Sequence, residues 1–419
     1  MQQKKHVYLD HASSTPCDVA VLDQMKPYFF DKYGNPGAMH LPGQETQVAM
    51  DEAREKVAKF LNCDFEEIIF TGSATESNNL AIRGAVKYMK QNYEGFVPHI
   101  VTTRIEHKSI LETFRELEKD GVEVTYLPVD GDGLVSPSDF ENVIKKNTVL
   151  VSVMYVNNEV GTVQPLKEIG DIVQKYRRYY DHDPNLLTQA TDAVLGMKEE
   201  YRRKRRDVLG IPYFHTDAVQ ALNYLDCNVR DLGLDLVTFS GHKIYGPKGI
   251  GGLYKGKNVN LAPIITGGGQ EAGLRAGTEN VPYIVGLGAA IEIAGNMRQE
   301  ESKRISELRD YFIDEVLRTI PDTVLNGSRK ERVANNVNIL FRDFPANNLL
   351  ITLDQEGISA STGSTCTIKM VAPSETLLAM GRTDDEARQS VRFTLGRSTT
   401  KEDIDYAVFH LQKIMERAE

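Results

Sequence analysis

From about Glu67 to Tyr254, short apolar runs rich in β-formers alternate with helical patterns, and this alternation restricts the fold more than any other feature of the chain. IIF (68–70) leads into a helix opening at Ser73, and HIVTT (99–103) into a helix from Ile110 to Lys119. VEVTYLPV (122–129) precedes a GDG turn and a helix through Asp139 to Lys145. VLVSVMYV (149–156), PYFHT (212–216), LDLVTFS (234–240) and GGLYK (251–255) continue the series. Strands separated by helices read as crossover units, and hence as an α/β domain with a mostly parallel sheet. Such sheets bind ligands beyond the carboxyl ends of their strands, and the polar residues of this chain cluster there.

From about Val281 the pattern changes to long helices, from IVGLGAAIEIAGNM to near Thr319. Strand-like runs follow at Val337–Phe341 and Ser390–Thr394, and a last helix runs from Lys401 to Ala418. The expected organisation is a large α/β domain over 15–265 and a smaller α+β domain over 266–419, to which residues 1–14 contribute. One polar stretch, about 178–210, breaks the rhythm. It exceeds the roughly 2–6 residues of an ordinary αβ connection and reads as an inserted helical hairpin or excursion. Its basic run Arg202, Arg203, Lys204, Arg205, Arg206 is balanced by Glu199, Glu200 and Asp207, as a solvated helix face would be; an acceptor-docking or RNA-contacting patch is the sharper alternative.

Composition removes several function classes. With 49 basic and 59 acidic side chains the net charge is −10, which argues against a general nucleic-acid or membrane-surface binder. No apolar run approaches the roughly 18 residues of a membrane helix. The opening MQQKKHVYLD has no apolar signal core, so the expected location is the cytoplasm. Four cysteines, at 17, 63, 227 and 366, are too few and too scattered for a disulfide framework or a zinc knuckle, and no metal site is expected.

Four stretches carry candidate chemistry. In TGSATESNN (71–79) a strand ends, small residues turn, and a helix begins with Ser73, Ala74 and Thr75 at its amino end. That is a place for a phosphate, or simply an N-cap supported by Glu76. In HTDAVQ (215–220), Asp217 stands just past a strand; in SGHKIYGPKG (240–249), Lys243 stands past the next. An acid and an amine so placed could bracket a pyridine ring, the acid keeping the ring nitrogen protonated and the amine condensing with an aldehyde. As isolated residues they read as a helix cap and its surface partner. In ISASTGSTCT (358–367), Cys366 sits among small polar residues, which suits an accessible thiol better than a packed one.

These stretches together resemble a cysteine desulfurase of the class V aminotransferase group. The resemblance runs through YLDHASSTP (8–16), YGNPG (33–37), FTGSATESNN (70–79), RIEHKS (104–109) and VNNEVGTVQP (156–165). It continues through HTDAVQ (215–220), FSGHKIYGPKGIGG (239–252), GGGQEAGLRAGTEN (267–280) and VRFTLGR (391–397), missing only the insertion. It implies the fold-type I architecture, pyridoxal 5′-phosphate as cofactor and a homodimer. Carried over residue by residue, it makes Lys243 the Schiff-base lysine, and His107 the histidine that stacks on the ring and shares in proton transfer. Asp217 matches the acid on the ring nitrogen and Gln220 the residue near the phenolic oxygen. Ala74, Thr75, Ser240 and His242 match the phosphate set, and Thr278 the threonine that reaches the phosphate from the second subunit. Asn158 and Arg392 match the pair that holds the substrate carboxylate, and Cys366 the sulfur acceptor.

The implied activity converts L-cysteine to L-alanine and a persulfide on Cys366, for an iron–sulfur scaffold or a thiolation relay. Two departures stand out. The family's usual S-S-G-S-A-C is here Ser361-Thr362-Gly363-Ser364-Thr365-Cys366, and apolar Ile368, Met370 and Val371 follow. The extended scaffold-docking tail of some relatives is expected to be absent after TTKEDIDY. The alternatives are a selenocysteine lyase or other class V enzyme, and a catalytically idle sulfur-relay homologue.

Overall fold

The computed structural model describes residues 5–182, 211–363 and 372–416. The chain opens with a two-residue strand, β1 (Val7–Tyr8), and three helices, α1 (Val19–Met25), α2 (Pro27–Phe30) and α3 (Leu41–Leu61). Then come β2 (Ile68–Thr71), α4 (Ala74–Asn92), β3 (His99–Thr103), α5 (Lys108–Lys119) and β4 (Glu123–Leu127). They are followed by α6 (Pro137–Val143), β5 (Thr148–Ser152), α7 (Leu166–His182), β6 (Tyr213–Asp217), β7 (Leu236–Ser240) and β8 (Gly251–Lys255).

Strands β2 to β8 form one seven-stranded sheet in the order β2-β8-β7-β6-β5-β3-β4. Only β8 runs antiparallel to its neighbours, so the sheet is largely parallel, as the alternation of elements predicts. Strands β5, β6 and β7 are buried along their whole length, which is why they read as uninterrupted apolar runs and not as alternating ones. Each buried Val, Leu or Phe there contributes about 1.5–3 kcal/mol. From β3 the chain steps outward to β4, then returns to the other side of β3 for β5 and continues to β6 and β7. The direction of winding therefore reverses between β3 and β5, and a crevice opens at their carboxyl ends.

The long helix α8 (Val281–Thr319) packs on α3, a helix the sequence patterns did not single out. Gly288 allows that approach: a Cβ there would lie 2.8 Å from the Ala53 Cα. Beyond α8, β9 (Thr323–Leu325), β10 (Asn336–Phe341) and β12 (Ser390–Thr394) form an antiparallel sheet in the order β12-β10-β9. Helices α9 (Ala346–Gln355), α10 (Glu375–Ala379), α11 (Asp384–Arg388) and α12 (Lys401–Glu416) complete this part. The amino terminus joins it: β1 pairs in parallel with β11 (Ile358–Ser359), and Asp10 bridges Thr394. The expected insertion begins as a continuation of α7 to His182; its remainder, with the basic run 202–206, lies outside the described residues. Among the described residues no helix is long and apolar enough to cross a membrane.

Candidate active site

The crevice at the reversal of the sheet holds a cavity of about 370 Å³. Its lining comes from residues at or just beyond the ends of β3, β6 and β7, from the amino end of α4, and from Glu375, Thr376 and Arg392. Among the sequence-predicted residues, Ala74, Thr75, His107, Asn158, Asp217, Gln220, Ser240, His242, Lys243 and Arg392 all line it. Thr278 lies in an exposed stretch and does not. Cys366 lies outside the described residues. Gly363 before it and Ala372 and Pro373 after it border the same cavity.

The amino end of α4 is capped by Ser73, whose side chain accepts from the Glu76 N–H; such a cap is worth about 1 kcal/mol. The remaining first-turn N–H groups, on Ala74 and Thr75, open toward the cavity and favour an anion. This close packing needs Gly251 of β8, where a Cβ would lie 2.6 Å from the Ser73 carbonyl carbon and 2.8 Å from the Ala74 nitrogen. His242 brings to the cavity a buried Nδ1 with no partner among the described residues, and burial lowers its pKa to about 4, leaving it a neutral hydrogen-bonding ring. Hydroxyls of Thr75 and Ser240 border the same space.

Asp217 ends β6 and is 6 % exposed, so it belongs to the strand itself. Its Oδ1 accepts from the Val219 N–H at 3.0 Å and its Oδ2 from the Asn78 amide at 2.9 Å. Lys243 follows β7 in a single tight helical turn, and its Nζ donates to the carbonyls of Ala12 and of Ser13, the latter at 2.8 Å. Gln220 Nε2 donates to the same Ala12 carbonyl at 3.1 Å. An anion pocket, an acid and an amine thus meet around one space, a set that fits a phosphorylated pyridine aldehyde.

Arg392, on β12, is 2 % exposed. Its Nη1 donates to the Asn158 carbonyl at 2.8 Å, and its Nη2 to Asp10 Oδ1 and Ser13 Oγ, both at 2.8 Å. Its Nε has no partner among the described residues. Asp10, in the quoted YLDHASSTP, is a functional neighbour that sequence reasoning did not assign. Glu106 is another, although it precedes His107 in RIEHKS. Thr103 Oγ1 and the Met154 N–H donate to its Oε1, its Oε2 is buried without a partner among the described residues, and burial pushes its carboxyl up to about 8. Glu159 is a third: burial raises its carboxyl, and it accepts from Ser374 and, at 3.4 Å, from Thr376. The other cysteines are poorly prepared as nucleophiles, since burial pushes the thiols of Cys63 and Cys227 up to about 12.

The chain matches the family model for aminotransferase class-V over residues 7–183 and 205–407. It is 42 % identical over 414 residues to the cysteine desulfurase IscS of Dictyoglomus turgidum, covering 99 % of this chain and 95 % of the relative. It is 40 % identical over 405 residues to the human cysteine desulfurase, covering 96 % and 80 %. Among solved structures it superposes on a NifS-like protein with TM-score 0.84, at 33 % identity and covering 99 % and 100 % of the two chains. A second, SspA in complex with cysteine, gives TM-score 0.74 at 34 % identity, covering 94 % and 99 %.

Proposed function

The chain belongs to the class-V aminotransferase family as a pyridoxal phosphate-dependent cysteine desulfurase, and from that premise we propose how its own residues divide the work. The observation that carries the proposal is the convergence of Asp217, Lys243, the α4 amino end and Arg392 on one cavity. Ala74, Thr75, Ser240 and His242 hold the cofactor phosphate. Asp217 keeps a proton on the ring nitrogen, and Gln220 stands beside the phenolic oxygen. Bound there, pyridoxal phosphate supplies an electron sink that weakens the bond between the substrate's β carbon and its sulfur. Lys243 would hold the cofactor through Nζ, and the same Nζ would be the group that moves the substrate's α proton. Arg392 and Asn158 take the substrate carboxylate, the free Nε of Arg392 being one donor. The Cys366 thiolate would attack the substrate sulfur; the S–S bond forms as the C–S bond breaks, its electron pair goes to the β carbon, and that carbon gains a proton before alanine leaves.

A homodimer belongs to the same proposal. Thr278 sits in an exposed stretch away from its own cavity, in keeping with delivery to a partner subunit. Large apolar side chains stand exposed along α1–α3 and its flanks, including Phe30, Met39 and Leu41. Exposed apolar side chains gathered in one stretch of the chain suit a second copy. The same reading divides the chain into a cofactor-bearing lobe, 15–265, and a smaller lobe of 1–14 and 266–419; the β1–β11 pairing supports the amino-terminal contribution. For the acceptor we propose an iron–sulfur scaffold, in line with the IscS relatives, and for the location the cytoplasm, where a carrier thiol stays reduced.

The test is intact mass of the purified protein after addition of L-cysteine. A persulfide with alanine release in the wild type, absent in Cys366→Ser and in Lys243→Ala, is the expected result. A persulfide that persists in Cys366→Ser would remove Cys366 from its role.

A further inference from the structure

The mechanism above does not use Asn78, a fully buried side chain on α4 with no place in a packing stripe that needs an amide. Its Nδ2 lies 2.9 Å from Asp217 Oδ2 and 2.9 Å from Ser109 Oγ. An amide nitrogen only donates, so both of its hydrogens are committed, one to each. The reverse orientation would press the amide oxygen against the Asp217 carboxylate, so charge fixes which way the group points. This orientation leaves Asn78 Oδ1 buried with no partner among the described residues. A buried acceptor sacrificed to keep two donors in place calls for a reason beyond packing.

The chain of hydrogen bonds continues in one direction. Ser109 Oγ accepts from Asn78 and therefore has its own proton to give to His107 Nδ1, 2.8 Å away. The Ser109 backbone N–H points at the same Nδ1 from 3.2 Å, because His107 is the N-cap of α5. Two donors meet on Nδ1, so that nitrogen is an acceptor and a neutral ring carries its proton on Nε2. Desolvation by the surrounding protein lowers the ring's pKa, although His107 stands exposed at the cavity; Asp217 opposes this, while Lys243 and Lys108 add to the lowering. His107 lines the cavity.

We propose that Asn78 is a positioning residue: by donating from one nitrogen to both Asp217 and Ser109, it keeps His107 a neutral imidazole protonated on Nε2. In that form His107 presents its Nε2–H to the cavity and its basic Nδ1 to Ser109. The proton stays on Nε2 and stabilises negative charge on a sulfur or oxygen brought beside it, as electrophilic neutral histidines do. The same amide steadies Asp217 as an acceptor on Oδ2. The inference rests on the reading of the cavity as the seat of the chemistry.

The experiment is a long-range proton–nitrogen correlation spectrum of holoenzyme labelled with nitrogen-15 in histidine. The His107 signals are identified by their loss in His107→Gln. The expected result is an Nε2-protonated ring, unchanged in Ser109→Thr. Asn78→Asp exchanges the amide donor for an acceptor and draws the Ser109 hydroxyl away, leaving only the Ser109 backbone N–H on Nδ1, so the Nδ1-protonated share must rise above that of the wild type. Ser109→Asp, at a half-buried position, sets an acceptor directly beside Nδ1 and must do the same even if Asn78→Asp does not fold. An Nδ1-protonated or doubly protonated His107 in the wild type would overturn the proposal, as would a ring that keeps its tautomer in both acceptor variants. These spectra are readable whether or not a persulfide forms, so a failure here is distinct from a failure of the desulfurase assignment.

Discussion

At the scale of single residues, Glu106 shows what a buried acid costs and when. Its carboxyl is pushed up to about 8 by burial, against an ordinary value near 4.5 in the unfolded chain. Between those values the folded protein keeps a proton that the unfolded chain releases. Stability from this group is therefore complete below about pH 4.5 and is lost as pH rises toward 8, by about 1.4 kcal/mol per pH unit. Glu106→Gln removes the titrating proton while keeping the shape. The variant should gain stability relative to wild type across that window, read as a difference in urea midpoint that widens from pH 5 to about 8. A difference that stays constant with pH would show that Glu106 does not hold its proton.

At the scale of elements, the site depends on how closely strand β8 lets the amino end of α4 approach. Gly251→Ala would put a Cβ within 2.6 Å of the Ser73 carbonyl carbon, closer than real contacts allow, so α4 must shift. Overpacking of this kind costs about 1–3 kcal/mol. Cofactor affinity should fall about tenfold or more, because the Ala74 and Thr75 N–H groups move with the helix; reconstitution of apoenzyme, followed by absorbance, reads this directly. Unchanged affinity with lowered stability would separate the glycine from the phosphate site.

The element scale also shows what the sequence reveals and what it hides. The strand ends were legible because a parallel sheet buries both faces, so its strands appear as apolar runs with the working residues as their last residue, Asp217 and Ser240, or a few residues beyond, His107. Element α3 was hidden because its contact with α8 is built from small residues such as Ala53 and Gly288, which leave little apolar periodicity. Asn78, Ser109 and Asp10 were hidden for another reason. Each lay inside a motif already quoted, but the contacts that join Asn78 to Ser109 and Asp10 to Arg392 span 31 and 382 residues, and a pattern along the chain carries no sign of them. Glu106 sits beside His107 in sequence, yet its meaning comes from enclosure by Thr103 and Met154, which only the fold supplies.

At the scale of the whole molecule, two features join distant parts of the chain. The Asp10–Arg392 pair connects the amino-terminal segment to β12, with Arg392 only 2 % exposed. Asp10→Ala would leave that guanidinium without its counter-charge, at a cost of about 3–5 kcal/mol, and free it to turn away from Asn158. Urea unfolding should record the loss, and the KM for L-cysteine should rise. The second feature is a set of buried neutral histidines. Burial lowers His11, His99 and His242 to about 4 and His215 to about 3. In the unfolded chain these groups take up protons below about pH 6.5, while the folded protein resists. Their contribution is therefore intact above pH 6.5 and is lost as pH falls toward 4. The unfolding midpoint should drop steeply over that range, and less steeply in His215→Gln; a parallel drop would place the acid sensitivity elsewhere.

The pairing of β1 with β11 also sets a schedule. Val7 has no strand to join until Ile358 has been made, and synthesis at about 5–20 residues per second puts about 20–70 s between the two. Throughout that interval the first strand leaves the ribosome as a bare edge, and the carbonyls of Ala12 and Ser13 that receive Lys243 are not yet anchored. The cavity therefore becomes complete only as the last part of the chain is made, which keeps a half-built protein from holding the amine in its working position.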